Sequence, residues 1–330
     1  MASPSRILLL QLKRIGDTIL TAPAVAAIQR RFPAARLALV VEHACGPIAA
    51  CIGSGIDVWT FRRGSLNPGL LARIAGGGFD TVLDFTGNDR SAFLTVLARA
   101  GRRITFERRG AHGLRRRIYT DTPAVPVRDL HTIDYHLALL EPLGVRGASR
   151  AIPLGPDAVA ASKAAALIDG LGDYFVLHPG TARPEKYWVA NRWAAVANAC
   201  AERTGWTCLL TGTRDSFEQE HVAGVRAALK CPMRDLTGAT SLAVLLALLG
   251  RARLLLGVDS APMHLAAACG TPQIALFGPT NPFHWRPVQE QAITLQAGNP
   301  ESDFTDPRRP GAPMERLAED PVLACLSKFP

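Results

Sequence analysis

The sequence predicts an α/β protein built from two parallel-sheet halves, and three observations carry that reading. Short apolar runs with strand character alternate with segments of helical periodicity. The alternation restarts after Pro153–Pro156, a Pro- and Gly-bearing stretch that reads as a linker. The chain has 330 residues, enough for two full cores at about 150 residues per domain. We therefore expect one domain over 1–155 and a second over 156–330, with a cleft between them.

Continuous apolar runs mark strands that are covered on both faces. Ile7–Leu12, Leu37–Glu42 and Thr81–Phe85 read this way in the first half, with helices over Ala22–Phe32 and Ser91–Ala100. In the second half the strands are Phe175–His178, Thr207–Thr211, Leu254–Val258 and Gln273–Phe277. Helices are expected over Arg192–Arg203, Phe217–Leu229, Leu242–Leu249 and Pro262–Ala268. Open parallel sheets bind ligands beyond the carboxyl ends of their strands, where helix N-termini present free N–H groups. Three segments stand there: Gly16-Asp17-Thr18, His178-Pro179-Gly180-Thr181, and Asp259-Ser260-Ala261-Pro262 followed by His264.

Hydrophobic residues make up 48% of the chain and charged residues 20%, which excludes a disordered or fibrous protein. The apolar run Ile7–Leu10 is too short for a signal peptide or a membrane span, so the expected location is the cytosol. The seven cysteines form no C-x-x-C pair and read as reduced, mostly buried residues. The net charge is +9, and the stretch Arg99–Arg117 alone holds eight arginines against one acid, Glu107. Such a run suits an anionic partner, whether nucleic acid, a phosphorylated substrate or an anionic membrane, or else it is a solvated loop.

The common nucleotide signatures are absent: the sequence contains no G-x-G-x-x-G, no P-loop, no H-E-x-x-H and no G-x-S-x-G. It also lacks a D-x-D to hold a divalent metal on a diphosphate. Phosphate charge would then fall to helix N-termini, Lys and Arg. Asp17 has two readings on spacing alone. It caps the following helix by accepting backbone N–H bonds, or it serves as a general base on an acceptor hydroxyl. The two compete, because full ligation by N–H groups lowers basicity. The segment 256–264 reads as strand, tight turn and helix start, with Ser260 and Ala261 small enough to let a diphosphate approach the backbone. His264 is either a phosphate or ribose donor or a structural histidine, and Lys186 either a phosphate-binding charge or a surface lysine.

The stretch Arg6–Ala24, with Gly16-Asp17-Thr18 at its centre, resembles the opening of bacterial ADP-heptose:lipopolysaccharide heptosyltransferases, glycosyltransferase family 9. So does Gly257-Val258-Asp259-Ser260-Ala261-Pro262-Met263-His264 continuing to Thr280, with His178-Pro179-Gly180 and Lys186-Tyr187-Trp188 at the family's middle motifs. The resemblance runs in order from about residue 6 to 290, and 131–144 is most similar to the heptosyltransferase III branch. It implies a GT-B fold of two Rossmann-like domains, with acceptor on the N-terminal side and nucleotide sugar on the C-terminal side. It further implies inverting transfer from ADP-L-glycero-β-D-manno-heptose to the lipopolysaccharide inner core, with no metal or other cofactor, at the cytoplasmic face of an anionic inner membrane.

Carried onto this sequence, the resemblance makes Asp17 the general base. Thr181, Lys186, Glu218, Asp259, Ser260, Ala261 and His264 become nucleotide-sugar contacts, and Arg14, Thr18, Arg115, Arg116 and Arg117 acceptor contacts. Two departures stand out: Ser216 occupies the position of the family's ribose-binding Glu, leaving Glu218 as a substitute, and Asp259-Ser260-Ala261 replaces the commoner Asp-Thr-Gly. Alternatives are a family member using another nucleotide sugar for a surface polysaccharide, and a non-catalytic glycan- or nucleotide-binding protein. A nucleic-acid binder lacks support, since only Phe106 and Tyr119 lie near the arginines to stack bases.

Overall fold

The computed structural model describes residues 3–107, 113–300 and 303–329. The chain divides into two compact units, Met1–Gly155 and Pro156–Pro330.

In the first unit, β1 (Arg6–Gln11), β2 (Arg36–Glu42), β3 (Ile56–Phe61), β4 (Thr81–Asp84) and β5 (Arg102–Thr105) form one sheet in the order β3-β2-β1-β4-β5. Every pairing is parallel. The crossovers carry α1 (Ile15–Ile19), α2 (Ala22–Arg31), α3 (Gly46–Ala49), α4 (Pro68–Ala75) and α5 (Asp89–Leu97), and α6 (Thr132–Ala138) follows β5. Central strands are apolar throughout because helices cover them: Ile7, Leu8, Leu9 and Leu10 of β1 are fully buried. Pro23 stands in the first turn of α2, where a missing N–H costs nothing. A reciprocal cap between Asn88 and Ser91 starts α5. The strand order reverses between β1 and β4, so the loops after those two strands meet at the switch point of the sheet.

The second unit repeats this plan. After α7 (Ala158–Leu167) come β6 (Tyr174–His178), α8 (Ala190–Thr204), β7 (Thr207–Leu210), α9 (Ser216–Ala228), β8 (Met233–Asp235), α10 (Leu242–Leu249), β9 (Leu254–Val258), α11 (Ala261–Cys269), β10 (Gln273–Phe277), α12 (Pro282–Trp285), β11 (Ala292–Gln296) and α13 (Asp320–Leu326). The parallel sheet runs β11-β10-β9-β6-β7-β8, with its switch point between β6 and β9. Among the described residues no helix is long and apolar enough to cross a membrane.

The arginine run proves to be two different things. Arg102 and Arg103 open β5, where the sequence suggested a continuous charged stretch. The Arg102 guanidinium bonds Asp121 at 3.2 Å and the Pro142 carbonyl at 2.5 Å, and Arg103 bonds the carbonyls of Ile118 and Ala100. These two charges are held by the scaffold. Arg108 and Arg109 lie outside the described residues. Arg116 and Arg117 are exposed in the 3₁₀ turn Gly113–Arg117, and Arg115 is half-buried there.

The end of the chain closes the second core. Met314, Leu317 and Val322 are buried against a cluster that includes Trp188 and Trp193, whose rings meet edge-on at 4.9 Å. Trp188 Nε1 donates to the Leu317 carbonyl at 2.8 Å, and Arg192 reaches the same carbonyl at 2.6 Å. Replacing Trp188 with Phe removes one donor and part of a fully buried ring. It is expected to destabilise the second unit by about 2 kcal/mol, read as a lower melting temperature, and an unchanged melting temperature would contradict the latch.

Candidate active site

The switch point of the second sheet gathers the polar residues that the sequence singled out there. His178 ends β6 and Asp259 follows β9, the adjacent strand; His178 pairs in register with Gly257. Lys186 closes a one-turn 3₁₀ helix, Pro184–Lys186, and its Nζ lies 2.5 Å from Asp259 Oδ2 and 3.4 Å from the Asp259 carbonyl. Both side chains are about nine-tenths buried. The surface-lysine alternative is thereby replaced by a buried ion pair. An ammonium has three N–H donors, so this pairing leaves one for a ligand.

Asp259 also leads into α11, whose N-terminus no side chain caps. Ser260 stands at the capping position but directs its hydroxyl to the Val258 carbonyl at 3.3 Å. Ser260 and Ala261 are half-buried at the start of a nine-residue helix, where partial positive charge favours an anion. His264, one turn in, is 4% exposed, and its Nδ1 has no hydrogen-bond partner among the described residues. An imidazole nitrogen buried without a partner is costly, and a ligand hydroxyl or phosphate oxygen would satisfy it.

Beside this cluster lies a cavity of about 340 Å³, bounded by His178, the turn 212–214 and the turn 238–242. Gly238 takes φ +71°, which suits glycine, and its missing side chain keeps the rim open. Glu218 sits behind the wall, with its carboxylate accepting from the Thr213 N–H at 2.7 Å and the Thr213 hydroxyl at 2.8 Å. Gly180 abuts Glu218 so closely that a Cβ there would collide with it. Asp215 caps α9, accepting from the Phe217 and Glu218 N–H groups, and Ser216 is the first residue of that helix. His178 Nδ1 is 3.0 Å from Thr211 Oγ1, and burial lowers its pKa against the opposing pull of Glu218. Thr181 is buried in the loop that follows His178.

In the first unit, Asp17 is the third residue of the five-residue α1, and Arg14 occupies the capping position. The helix that Asp17 was expected to cap, α2, has Thr21 at its capping position and no side-chain cap among the described residues, so that alternative is not realised. Asp17 is half-buried and Arg14 exposed. Thr18 is fully buried, with its hydroxyl 3.4 Å from the Arg14 carbonyl.

The sequence reading missed Asp84 and Tyr119. Asp84 ends β4 fully buried and accepts from the N–H groups of Thr86 and Gly87 at 2.9 and 3.0 Å and from Tyr119 Oη at 2.6 Å. Burial raises the Asp84 pKa, against the lowering effect of these hydrogen bonds. Burial likewise raises the Tyr119 pKa, and the neighbouring Asp84 carboxylate adds to the rise. This anchor ties the loop after β4 to residue 119, two beyond Arg117. Arg115 in turn bonds the Gly87 carbonyl at 3.3 Å and lies 3.4 Å from Asp89 Oδ1. A carboxylate closing an apolar strand run was the available signal for Asp84.

Burial pushes the His264 pKa down to about 4; Asp259 opposes that shift and Lys186 adds to it. In the unfolded chain the imidazole titrates near 6.5. The unfolded state therefore binds more protons between about pH 4 and 6.5, so stability rises with pH across that window and levels off above it. His264→Gln is expected to remove a contribution on the order of 3 kcal/mol from that slope, measured by urea unfolding at the two ends of the window. An unaltered slope would contradict the buried neutral imidazole.

The profile of glycosyltransferase family 9 (heptosyltransferase) matches residues 70–309. Lipopolysaccharide heptosyltransferase 3 of Escherichia coli K12 is 28% identical over 297 residues, covering 86% of each chain. Lipopolysaccharide heptosyltransferase 1 of Pseudomonas aeruginosa is 29% identical over 305 residues, covering 84% of this chain and 79% of its own. In fold, the chain is similar to a family 9 glycosyltransferase from Veillonella parvula, with TM-score 0.84, 24% identity and coverage of 98% and 96%. It is also similar to E. coli ADP-heptose heptosyltransferase II, with TM-score 0.80, 19% identity and coverage of 98% and 97%. Two parallel α/β sheets with these neighbours constitute the GT-B fold. The chain belongs to glycosyltransferase family 9 and is a transferase.

Proposed function

We propose that this enzyme is an inverting heptosyltransferase of lipopolysaccharide core assembly, moving heptose from ADP-L-glycero-β-D-manno-heptose to a hydroxyl of the inner core. The observation that carries the donor half is the buried Lys186–Asp259 pair at the uncapped N-terminus of α11, with His264 and the 340 Å³ cavity beside it. The relatives named for lipopolysaccharide heptosyl transfer support the substrate class.

In this reading the second unit takes the donor. The cavity at 212–214 and 238–242 receives the adenosine, and the diphosphate lies on the backbone of Ser260 and Ala261. Glu218, behind the wall, serves the nucleotide by holding the Thr213 turn that bounds the cavity, each of its oxygens accepting one bond from Thr213. Lys186 gives its remaining N–H to the phosphates, and neutral His264 donates a hydrogen bond without adding charge. Thr181 lines the sugar side. As the bond from the anomeric carbon to ADP breaks, negative charge grows on the leaving phosphate, where Lys186 and the helix N-terminus already point. This needs no bound metal.

The first unit takes the acceptor. Asp17 removes the proton from the acceptor hydroxyl as its oxygen attacks the anomeric carbon from the face opposite ADP, inverting the configuration. Arg14, Arg115, Arg116 and Arg117 meet the acceptor's phosphates and carboxylates, and the enzyme works from the cytoplasm at the surface of the inner membrane. Asp17→Asn is expected to lower kcat by about 10²–10⁴-fold while leaving ADP-heptose affinity nearly intact, measured by transfer rate and by donor titration. Weakened donor binding with normal turnover would overturn the assignment of Asp17 as base.

A further inference from the structure

Three large apolar side chains are strongly exposed among the described residues of the first unit: Leu66 at 87%, Phe93 at 56% and Val96 at 53%. Phe93 and Val96 stand one turn apart on α5, with Arg90 one turn before Phe93, so all three share a face. Leu66 lies two residues before α4, which packs against α5. A helix face turned to water ordinarily carries polar side chains. Here it carries a phenylalanine and a valine, and its rim is basic.

The rim is set by contacts already described. Arg115 bonds the Gly87 carbonyl and pairs with Asp89 at the first position of α5, which pins the 113–117 turn to that end of the helix. Arg116 and Arg117 are exposed beside it, and Arg99 is exposed just past the C-terminal end of α5 with φ +52°. Counting Arg90 and Arg115, five arginines face one acid, Asp89, over residues 89–99 and 113–117. Exposed apolar side chains rimmed by cations match a surface of opposite charge and apolar interior, which is what an anionic bilayer presents.

We propose that the exposed face of α5 docks on an anionic lipid bilayer, with Phe93 and Val96 entering the headgroup boundary and Arg90 and Arg99 meeting lipid phosphates, while the 113–117 turn beside it keeps its arginines for the acceptor. The inference deepens the proposed function and rests on it only in that a lipid-linked acceptor is presented at such a surface. Docking itself requires neither donor nor acceptor.

The test is co-sedimentation of the full chain with vesicles of phosphatidylcholine alone or of equal parts phosphatidylcholine and phosphatidylglycerol. Binding is expected only to the anionic vesicles and to fall steeply with added salt. The double variant Phe93→Ser, Val96→Ser is expected to lower partitioning about tenfold while its melting temperature and its thermal shift with ADP match the parent. Equal binding by the double variant, or equal binding to both vesicle types, would overturn the proposal. Self-association in sedimentation velocity that the double variant abolishes, without vesicle binding, would overturn it in favour of a second copy of the chain. A wild-type protein that binds vesicles but shows no shift with ADP would sink the donor reading and leave the docking face standing.

Discussion

The ion pair between Lys186 and Asp259 is the constraint on which the second unit's site depends. Removing two charges from water costs several kcal/mol each, and a buried pair seldom stabilises a fold better than apolar residues of the same size. Its value here is positional. The reversal of strand order sets β6 beside β9, so the loop after β6 delivers a lysine onto the residue that opens α11. Held by Asp259, the ammonium faces an uncapped helix N-terminus with one donor to spare. His264 is kept neutral by the same burial, and its Nδ1 has no hydrogen-bond partner among the described residues.

The first unit solves a related problem with different chemistry. Its switch point lies between β1 and β4; Asp84 closes β4, and Asp17 lies in α1, the first helix after β1. Asp84 is committed to two backbone N–H groups and a tyrosine hydroxyl, which secure the β4 loop and the segment bearing Arg115. Asp17, on the other side of the switch point, is half-buried, and no hydrogen bond to its carboxylate is found among the described residues. Two carboxylates near one switch point thus differ in environment: Asp84 is fully buried and hydrogen-bonded, Asp17 half-buried.

Much of the architecture was legible because the central strands are covered on both faces. β1, β2, β4, β6, β7, β9 and β10 read directly as apolar runs, and their order of appearance with helices implies the parallel sheets. The edges were harder. β3 alternates half-buried and exposed residues, β8 is three residues long, and β5 begins with two arginines whose charge concealed a strand. The site divided the same way. Motif positions such as Asp17 and Asp259 could be found from spacing after strands. The partners of Lys186 and Asp84 could not be found so, because Lys186 and Asp259 are 73 residues apart and Asp84 and Tyr119 are 35 apart. Thr18 shows the converse: a residue inside a motif can be turned wholly into the core by the short helix that carries its neighbour.

The nucleotide proposed for the second unit is the most direct point of test. Thermal unfolding of the full chain in the presence of ADP, ADP-heptose, UDP, GDP or CMP reads the identity of that nucleotide, since a ligand at about 100 times its Kd adds about 2.7 kcal/mol of stability. A selective rise in melting temperature with ADP and ADP-heptose is the predicted result. A rise with UDP or GDP in their place would contradict the heptosyl donor while leaving the fold and the role of Asp17 intact, and no rise with any of them would contradict the donor site itself.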